Sequence, residues 1–101
     1  MHTDNQILII DDDIAVQTSI SLLLSEKGFL TICASNPDEA EKILQNNKPL
    51  LIILDLNFSN DTSGREGLQF LSTIKSLNSD IPVILITAWA SIVLAVENLW
   101  M

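Results

Sequence analysis

The sequence predicts an α/β protein built on a doubly wound parallel sheet, and three observations support this fold class. Short apolar segments such as Gln6–Ile10 and Leu50–Leu54 end abruptly at carboxylates, as strands buried on both faces do. Amphipathic segments of helical spacing separate these strands in strict alternation, which implies right-handed crossovers and helices on both faces of the sheet. A length of 101 residues fits one compact domain and is too short for two.

The first strand and helix follow from the pattern at the N-terminus. Gln6–Ile10 is a branched apolar run that stops at three consecutive aspartates, Asp11 to Asp13. Residues 14–27 are predicted to be helical, with Asp13 as the N-cap and Gly28 at the end. The apolar positions at helical spacing are Val16, Ile20, Leu23 and Leu24.

The second strand and helix show equally clear boundaries. Residues 29–34 read as a strand, within which Cys33 is interpreted as a small buried hydrophobe. Asn36 is a suitable N-cap, and Pro37 fits the first position of a helix that continues to about Gln45.

The remaining elements repeat the alternation. Residues 50–55 form a third apolar strand that ends at Asp55, and residues 57–67 are polar and rich in helix breakers, which predicts a loop. A third helix follows through Leu68, Leu71, Ile74 and Leu77. Residues 82–87 give a fourth strand that ends at Thr87, and residues 90–101 are helical in pattern.

Composition excludes several classes of function. The formal net charge of −8 disfavours contact with nucleic acid or with anionic lipid surfaces. The N-terminus lacks the features of a signal peptide, and no apolar run is long enough to span a bilayer. A single cysteine rules out an internal disulfide framework, which fits a reducing, cytoplasmic setting. We therefore expect no nucleic-acid partner and no membrane partner.

A candidate site lies where the predicted strands end. Ligands of open α/β sheets bind beyond the carboxyl ends of the strands, where Asp11, Asp12, Asp55 and Thr87 are all expected. If the first and third strands are neighbours, three carboxylates converge and favour a hard cation such as Mg²⁺. Asp55 is then the best-placed nucleophile for phosphoryl transfer. The alternative is that the acids only cap the helices that follow them.

Three segments together resemble the receiver domain of two-component response regulators. They are Ile7-Leu8-Ile9-Ile10-Asp11-Asp12-Asp13, Leu51-Ile52-Ile53-Leu54-Asp55-Leu56-Asn57 and Pro82-Val83-Ile84-Leu85-Ile86-Thr87-Ala88. The resemblance covers essentially the whole chain and implies a flavodoxin-like fold, in which the first and third strands are adjacent.

The resemblance also implies a role for each site residue. Asp55 would accept a phosphoryl group from the phosphohistidine of a sensor histidine kinase. Asp12 would bind Mg²⁺ directly with the assistance of Asp11, and the backbone carbonyl of Asn57 would complete the protein ligands. Thr87 would contact the phosphoryl oxygens.

The sequence departs from the receiver pattern at its C-terminal end. The fifth strand, its lysine and the fifth helix of the family have no counterpart, so residues 1–101 are predicted to be a receiver domain that is incomplete at the C-terminus, with sheet order 2-1-3-4. No lysine of the chain is predicted at the carboxyl end of a strand. Apolar surface on the fourth strand and at residues 99–101 would then favour homodimerisation.

Two further features lie near the presumed site. The segment Phe58–Glu66 is longer than usual for the family, which favours a tolerated surface insertion over an element of kinase specificity or gating. Trp89 follows Thr87 by two positions, where its ring could shield an aspartyl phosphate from water. The alternative for Trp89 is packing or contact with a partner.

The function that follows is a phosphorylation-controlled signalling domain without turnover of a separate substrate. Its output would come from a domain beyond Met101 or from a partner protein, with transcription as the suggested process. One alternative is a receiver-like interaction module that is not phosphorylated in this truncated form. Another is a magnesium-dependent phosphatase, but such an enzyme would use an acid where this sequence has Asn57.

Overall fold

Four strands and three helices alternate along the part of the chain that the computed structural model describes, which is residues 5–55, 65–77 and 80–86. The strands are short and the helices that connect them are of moderate length. In chain order the elements are β1 (Gln6–Ile10), α1 (Ile14–Glu26), β2 (Leu30–Ala34), α2 (Pro37–Asn46), β3 (Leu51–Asp55), α3 (Arg65–Leu77) and β4 (Val83–Ile86).

The strands form one parallel sheet in the order β2-β1-β3-β4. This order confirms the predicted fold class. β1 and β3 are direct neighbours, with Ile10 opposite Leu54. Because these two strands run in the same direction, the residues that follow them emerge at the same edge of the sheet.

The two faces of the sheet are covered by different helices. One face packs against α2 and α3 and contains a continuous cluster of buried side chains. Alternation along each strand sends Ile7 and Ile9 to the other face, where α1 packs beside β2. The cluster consists of Leu8, Ile10, Ala34, Ala40, Leu44, Ile52, Leu54, Phe70, Leu71, Ile74, Ile81 and Val83.

Both ends of α1 are capped by the residues that the sequence predicts. The Asp13 side chain accepts hydrogen bonds from the backbone N–H groups of Ala15 and Val16. At the other end Gly28 has a φ of +90°, and its N–H donates to the carbonyl of Ser25. The N–H of Phe29 reaches back to the carbonyl of Leu24, which completes a Schellman motif. α1 therefore begins at a fixed point directly after the aspartates.

Three sequence-based expectations need correction. α3 begins at Arg65, so the predicted loop ends before residue 65 rather than at Gly67. Leu23 is exposed although its spacing predicts a core-facing position, because α1 presents apolar residues around its circumference. Cys33 is only partly buried, and its sulfur lies 3.6 Å from the Ser21 hydroxyl.

The predicted helix at residues 90–101 and the predicted loop at residues 57–64 lie outside the described residues. Among the helices that the structure does describe, none is both long and apolar enough to cross a lipid bilayer.

Candidate functional site

Three aspartates meet at the carboxyl edge of the sheet. Asp11 and Asp12 directly follow β1, and Asp55 is the last residue of β3. Each contributes a carboxylate oxygen to a group whose members all lie within 4.8 Å of one another. Asp11 is 4% exposed, Asp55 is partly buried and Asp12 is exposed. The structure thus brings together the three carboxylates that the sequence places at strand ends, in a position that solvent reaches through Asp12.

Asp11 is fixed by hydrogen bonds at its backbone and at its side chain. Its N–H donates to the carbonyl of Ala34 over 3.0 Å, which continues the pairing of β1 with β2. Its carboxylate oxygen Oδ1 accepts from the N–H of Asp13 over 2.9 Å. Its carbonyl accepts from the side-chain amide of Gln17 over 2.6 Å. These contacts leave little freedom for rotation of Asp11.

The electrostatic environment opposes ionisation of Asp11. Removal from water on burial is the largest cause, and it raises the pKa of Asp11 from 3.8 to about 6. Within this net rise, the hydrogen bond from the Asp13 N–H acts in the opposite direction, while the charges of Asp55, Asp12 and Asp13 add to the effect of burial. A cation placed among these carboxylates would relieve the repulsion between them.

The donor set matches a hard divalent cation. Mg²⁺ and Ca²⁺ bind oxygen ligands, and Mg²⁺ is commonly held by one or two carboxylates together with water and phosphate oxygens. A fixed, buried acid beside an exposed one offers carboxylate oxygens while keeping positions open to water. The residues that the structure describes therefore fit a magnesium ion.

Gln17 belongs to this site although its sequence pattern did not indicate so. It is buried, at 7% exposure, and its Nε2 reaches the carbonyl of Asp11. A polar residue inside a helix is usually interpreted as solvent-facing. The signal that could have identified it is its place in the first turns of a helix that begins right after the acid pair.

The other predicted site residues, Asn57, Thr87 and Trp89, lie outside the described residues, so their roles stay predictions. Two lysines within the described part of the chain interact at the opposite edge of the sheet. Lys48 forms an ion pair with Asp80 over 3.1 Å, and the Lys75 amine donates to the carbonyl of Ile81 over 2.8 Å. Neither ammonium group is therefore placed near the acid cluster.

A family model and curated relatives both match this chain, and both matches are to response regulators. The family model described as response regulator receiver domain matches residues 7–101. Regulatory protein AtoC of Escherichia coli is 33% identical over 99 residues, which cover 98% of this chain and 21% of AtoC. Transcriptional regulatory protein PmrA of Pectobacterium parmentieri is 34% identical over 83 residues, which cover 82% of this chain and 36% of PmrA. The chain thus spans about a fifth to a third of the length of these relatives.

Solved structures show the same fold. A response regulator from Burkholderia pseudomallei, described with a phosphorylated aspartic acid and a calcium ion, superposes with a TM-score of 0.81 at 30% identity. The match covers 96% of this chain and 55% of that one. Response regulator TrrA of Thermotoga maritima, solved in complex with Mg²⁺ and BeF, gives a TM-score of 0.75 at 28% identity and covers 85% of this chain and 71% of that one.

Proposed function

Since the chain belongs to the family of response regulator receiver domains, we propose that Asp55 accepts a phosphoryl group in a magnesium-dependent reaction. The observation that supports this most directly is the convergence of Asp11, Asp12 and Asp55 within 4.8 Å. Helix capping does not account for this convergence, because the N-cap of α1 is Asp13 and not Asp11 or Asp12. A shared cation gives this arrangement a physical reason.

In this proposal Asp11, Asp12 and Asp55 hold the magnesium ion, together with the predicted backbone carbonyl of Asn57. Asp12 is the exposed member of the group and therefore the one that can bind the ion directly from solvent, with buried Asp11 assisting. When bound, magnesium neutralises negative charge on the oxygens of the transferred phosphoryl group.

The transfer itself requires one nucleophilic oxygen of Asp55. This oxygen forms a bond to the phosphorus of a phosphohistidine while the N–P bond breaks and its electron pair remains on the imidazole nitrogen. Later attack of water on phosphorus breaks the bond to Asp55, releases inorganic phosphate and restores the carboxylate. Thr87 is proposed to contact the phosphoryl oxygens, and Trp89 to limit the access of water.

The two solved structures support this chemistry by analogy. The Burkholderia pseudomallei protein is described with a phosphorylated aspartic acid and a calcium ion, and TrrA was solved with Mg²⁺ and BeF. Both share the fold and more than a quarter of the sequence with this chain. We propose that Asp55 is the corresponding phosphorylated residue here.

The phosphoryl donor in this proposal is a sensor histidine kinase that docks on α1. The helix begins directly after the acid cluster, and its outer surface exposes Ile14, Leu22 and Leu23. Glu26 is the only charged residue of the helix. An apolar surface bordering the phosphorylation site would allow a partner helix to bring its histidine to Asp55.

We further propose a cytoplasmic signalling domain whose phosphorylation controls an output domain or a partner protein. PmrA, which is named a transcriptional regulatory protein, extends well beyond its match to this chain. A transcriptional output controlled by Asp55 is therefore the proposed role. Turnover of a separate substrate is not part of it.

The test is phosphoryl uptake from acetyl phosphate with Mg²⁺, followed by intact-protein mass spectrometry. We expect the wild type to gain one phosphoryl group, and Asp55→Asn and chelator-treated protein to gain none. Asp80→Asn, which removes an acid at the opposite edge of the sheet, should leave uptake intact. Absence of uptake by the wild type, together with no response to beryllofluoride, would instead favour the unphosphorylated interaction module.

A further inference from the structure

Gln17 is a buried polar residue in a helix whose other side chains are partly or fully exposed. All of α1 lies in the described part of the chain, and Gln17 is its one buried residue, at 7% exposure. An apolar side chain would normally occupy such a position, since a buried amide must find hydrogen-bond partners to offset its removal from water. The partners of Gln17 therefore indicate why an amide is present.

The Gln17 amide connects the ends of two neighbouring strands. Its Nε2 donates to the Asp11 carbonyl over 2.6 Å and to the Ser35 hydroxyl oxygen over 3.2 Å. A longer contact of 3.4 Å reaches the carbonyl of Ala34, which already accepts from the Asp11 N–H. Because carbonyl oxygens only accept hydrogen bonds, the NH₂ group and not the amide oxygen must face them.

The contact to Asp11 acts on the orientation of both acids that follow β1. The Asp11 carbonyl belongs to the planar peptide unit that joins Asp11 to Asp12. With the Asp11 N–H bonded to Ala34 and its carbonyl bonded to Gln17, rotation about the two backbone bonds at the Asp11 Cα is restricted. The plane in turn fixes the position of the Asp12 Cα, from which the Asp12 side chain leaves the backbone.

The Ser35 hydroxyl, which also accepts from the Gln17 Nε2, belongs to a segment that is itself held by hydrogen bonds. Ser35 follows β2, and its own N–H donates to the Glu39 carboxylate over 2.7 Å. The N–H of Glu39 donates to the side-chain oxygen of Asn36, the N-cap of α2. Two hydrogen bonds of Glu39 therefore hold the start of α2. Through its bond to the Ser35 hydroxyl, Gln17 connects the Asp11 carbonyl to this helix start.

We propose that Gln17 is a positioning residue for the cation site: its amide orients the Asp11–Asp12 peptide so that both carboxylates face Asp55. The inference rests on the proposed function, because it assumes that these carboxylates bind a divalent cation. Gln17 itself contacts neither the cation nor the phosphoryl group. Groups that orient metal ligands in this way typically change metal affinity by about 10-fold to 100-fold when they are removed.

The test compares the Mg²⁺ affinity of three variants by NMR titration of backbone amides. Gln17→Met keeps the length of the side chain but cannot donate, and we expect its affinity to fall about tenfold or more. When ionised, Gln17→Glu adds a negative charge that alone would strengthen cation binding, but its carboxylate has no donor, so at alkaline pH this variant should bind more weakly than the wild type. Leu24→Ala shortens a side chain at the far end of α1 and should bind Mg²⁺ as the wild type does.

The outcomes separate this inference from the proposed function. A wild type that binds no Mg²⁺ overturns both. A wild type that binds Mg²⁺ through Asp55, with Gln17→Met and Gln17→Glu binding equally well, overturns the positioning role alone. The same conclusion follows if Leu24→Ala weakens binding as much as the Gln17 variants, because loss of stability then accounts for the effect. Should Gln17→Met fail to fold, Gln17→Glu still decides the question.

Discussion

Asp11 combines two properties that both oppose its ionisation in the absence of a cation. It is almost completely buried, and it faces the charges of Asp12 and Asp55. Both effects favour its protonated form, which is why its pKa rises to about 6. A carboxylate that is unfavourable in the empty site contributes most once a positive charge is present. The same residue therefore limits the stability of the protein without metal and would attract the proposed magnesium ion.

The residue-scale prediction concerns the pH dependence of stability without metal. Between about pH 4 and pH 6 the folded state binds more protons at Asp11 than the unfolded state, so stability falls as pH rises through this window and stays lower above it. Asp11→Asn removes this loss and should raise the free energy of unfolding by about 2 kcal/mol at pH 7.5, but not at pH 4. Urea unfolding in a chelating buffer measures the difference.

Magnesium provides the control for this prediction. The wild type should gain stability when Mg²⁺ is added at pH 7.5, whereas Asp11→Asn should gain less because it has lost a charged member of the site. A stability difference between the two proteins that is the same at pH 4 and pH 7.5 would contradict the assigned role of ionisation.

The sequence predicts the site residues that follow strands and misses the residue that supports them. Asp11 and Asp55 follow apolar strands, and the rule that parallel strands end at one edge brings them together. Gln17 carries no such signal, because its burial depends on the packing of α1 against the ends of β1 and β2. Only the three-dimensional arrangement shows that its amide lies against the Asp11 carbonyl.

At the scale of the element, α1 differs from the other helices in its outer surface. Leu22 is 62% exposed and Leu23 is similarly open, while the apolar residues of α2 and α3 supply much of the core. Packing among the described residues does not account for a helix that exposes leucines while it buries an amide. Its composition is better explained by contact with a partner.

The element-scale prediction tests this surface. Leu22→Glu should slow phosphoryl transfer from a phosphorylated histidine kinase that acts on the wild type by about tenfold, as removal of a central contact residue does. Uptake from acetyl phosphate should be unchanged, because this small donor needs no docking surface. Leu77→Glu is the matched control, since Leu77 is 59% exposed on α3, across the sheet from α1.

Equal loss of transfer in the Leu22→Glu and Leu77→Glu variants would contradict a docking role for α1. A parallel loss of uptake from acetyl phosphate would point instead to disturbance of the site. Transfer can be followed by loss of label from the kinase in a rapid-quench experiment.

The boundaries of the elements show where local sequence signals are sufficient. α1 begins and ends where its capping residues predict, because Asp13 and Gly28 act on their own backbone neighbours. α3 begins before Gly67 although glycine and polar residues suggest a loop there. Burial of Phe70, Leu71 and Ile74 against the sheet outweighs the low helix propensity of that glycine.

At the scale of the whole molecule, the residues that the structure describes cover the two faces of the sheet unequally. α2 and α3 enclose the larger cluster on one face. On the α1 face, Ile9, Ile53 and Ile84 lie side by side across three strands, and Ile84 remains 51% exposed. The apolar row therefore runs from the buried centre of the sheet to accessible surface on β4. Such a surface favours association with another molecule.

The molecule-scale prediction is concentration-dependent homodimerisation through the face that includes Ile84. Sedimentation equilibrium of the wild type should show a dimer that Ile84→Lys weakens about tenfold or more, because the substitution places a charge in the contact. Leu77→Lys changes an equally exposed residue on the other face and should have no effect. A wild type that stays at the mass of one chain at high concentration would contradict the prediction.

The fold class and sheet order follow from the sequence because they depend on features repeated along the whole chain. Alternating apolar strands and amphipathic helices leave few topologies, and right-handed crossovers select among them. The exposure of Ile84 does not follow in the same way. A residue in an apolar strand is expected to be buried, and whether a second layer covers it depends on the positions of distant segments.

The adjacency of β1 and β3 also determines when the acid cluster can exist during synthesis. Of the four strands, β1 leaves the ribosome first. Its neighbour β3 emerges only after α1, β2 and α2 have been made. Until then Asp11 and Asp12 lack the Asp55 carboxylate, and the nascent chain has no complete acid cluster. Under the proposed function, competence for phosphorylation thus arises late, when a substantial part of the sheet has assembled around its first strand.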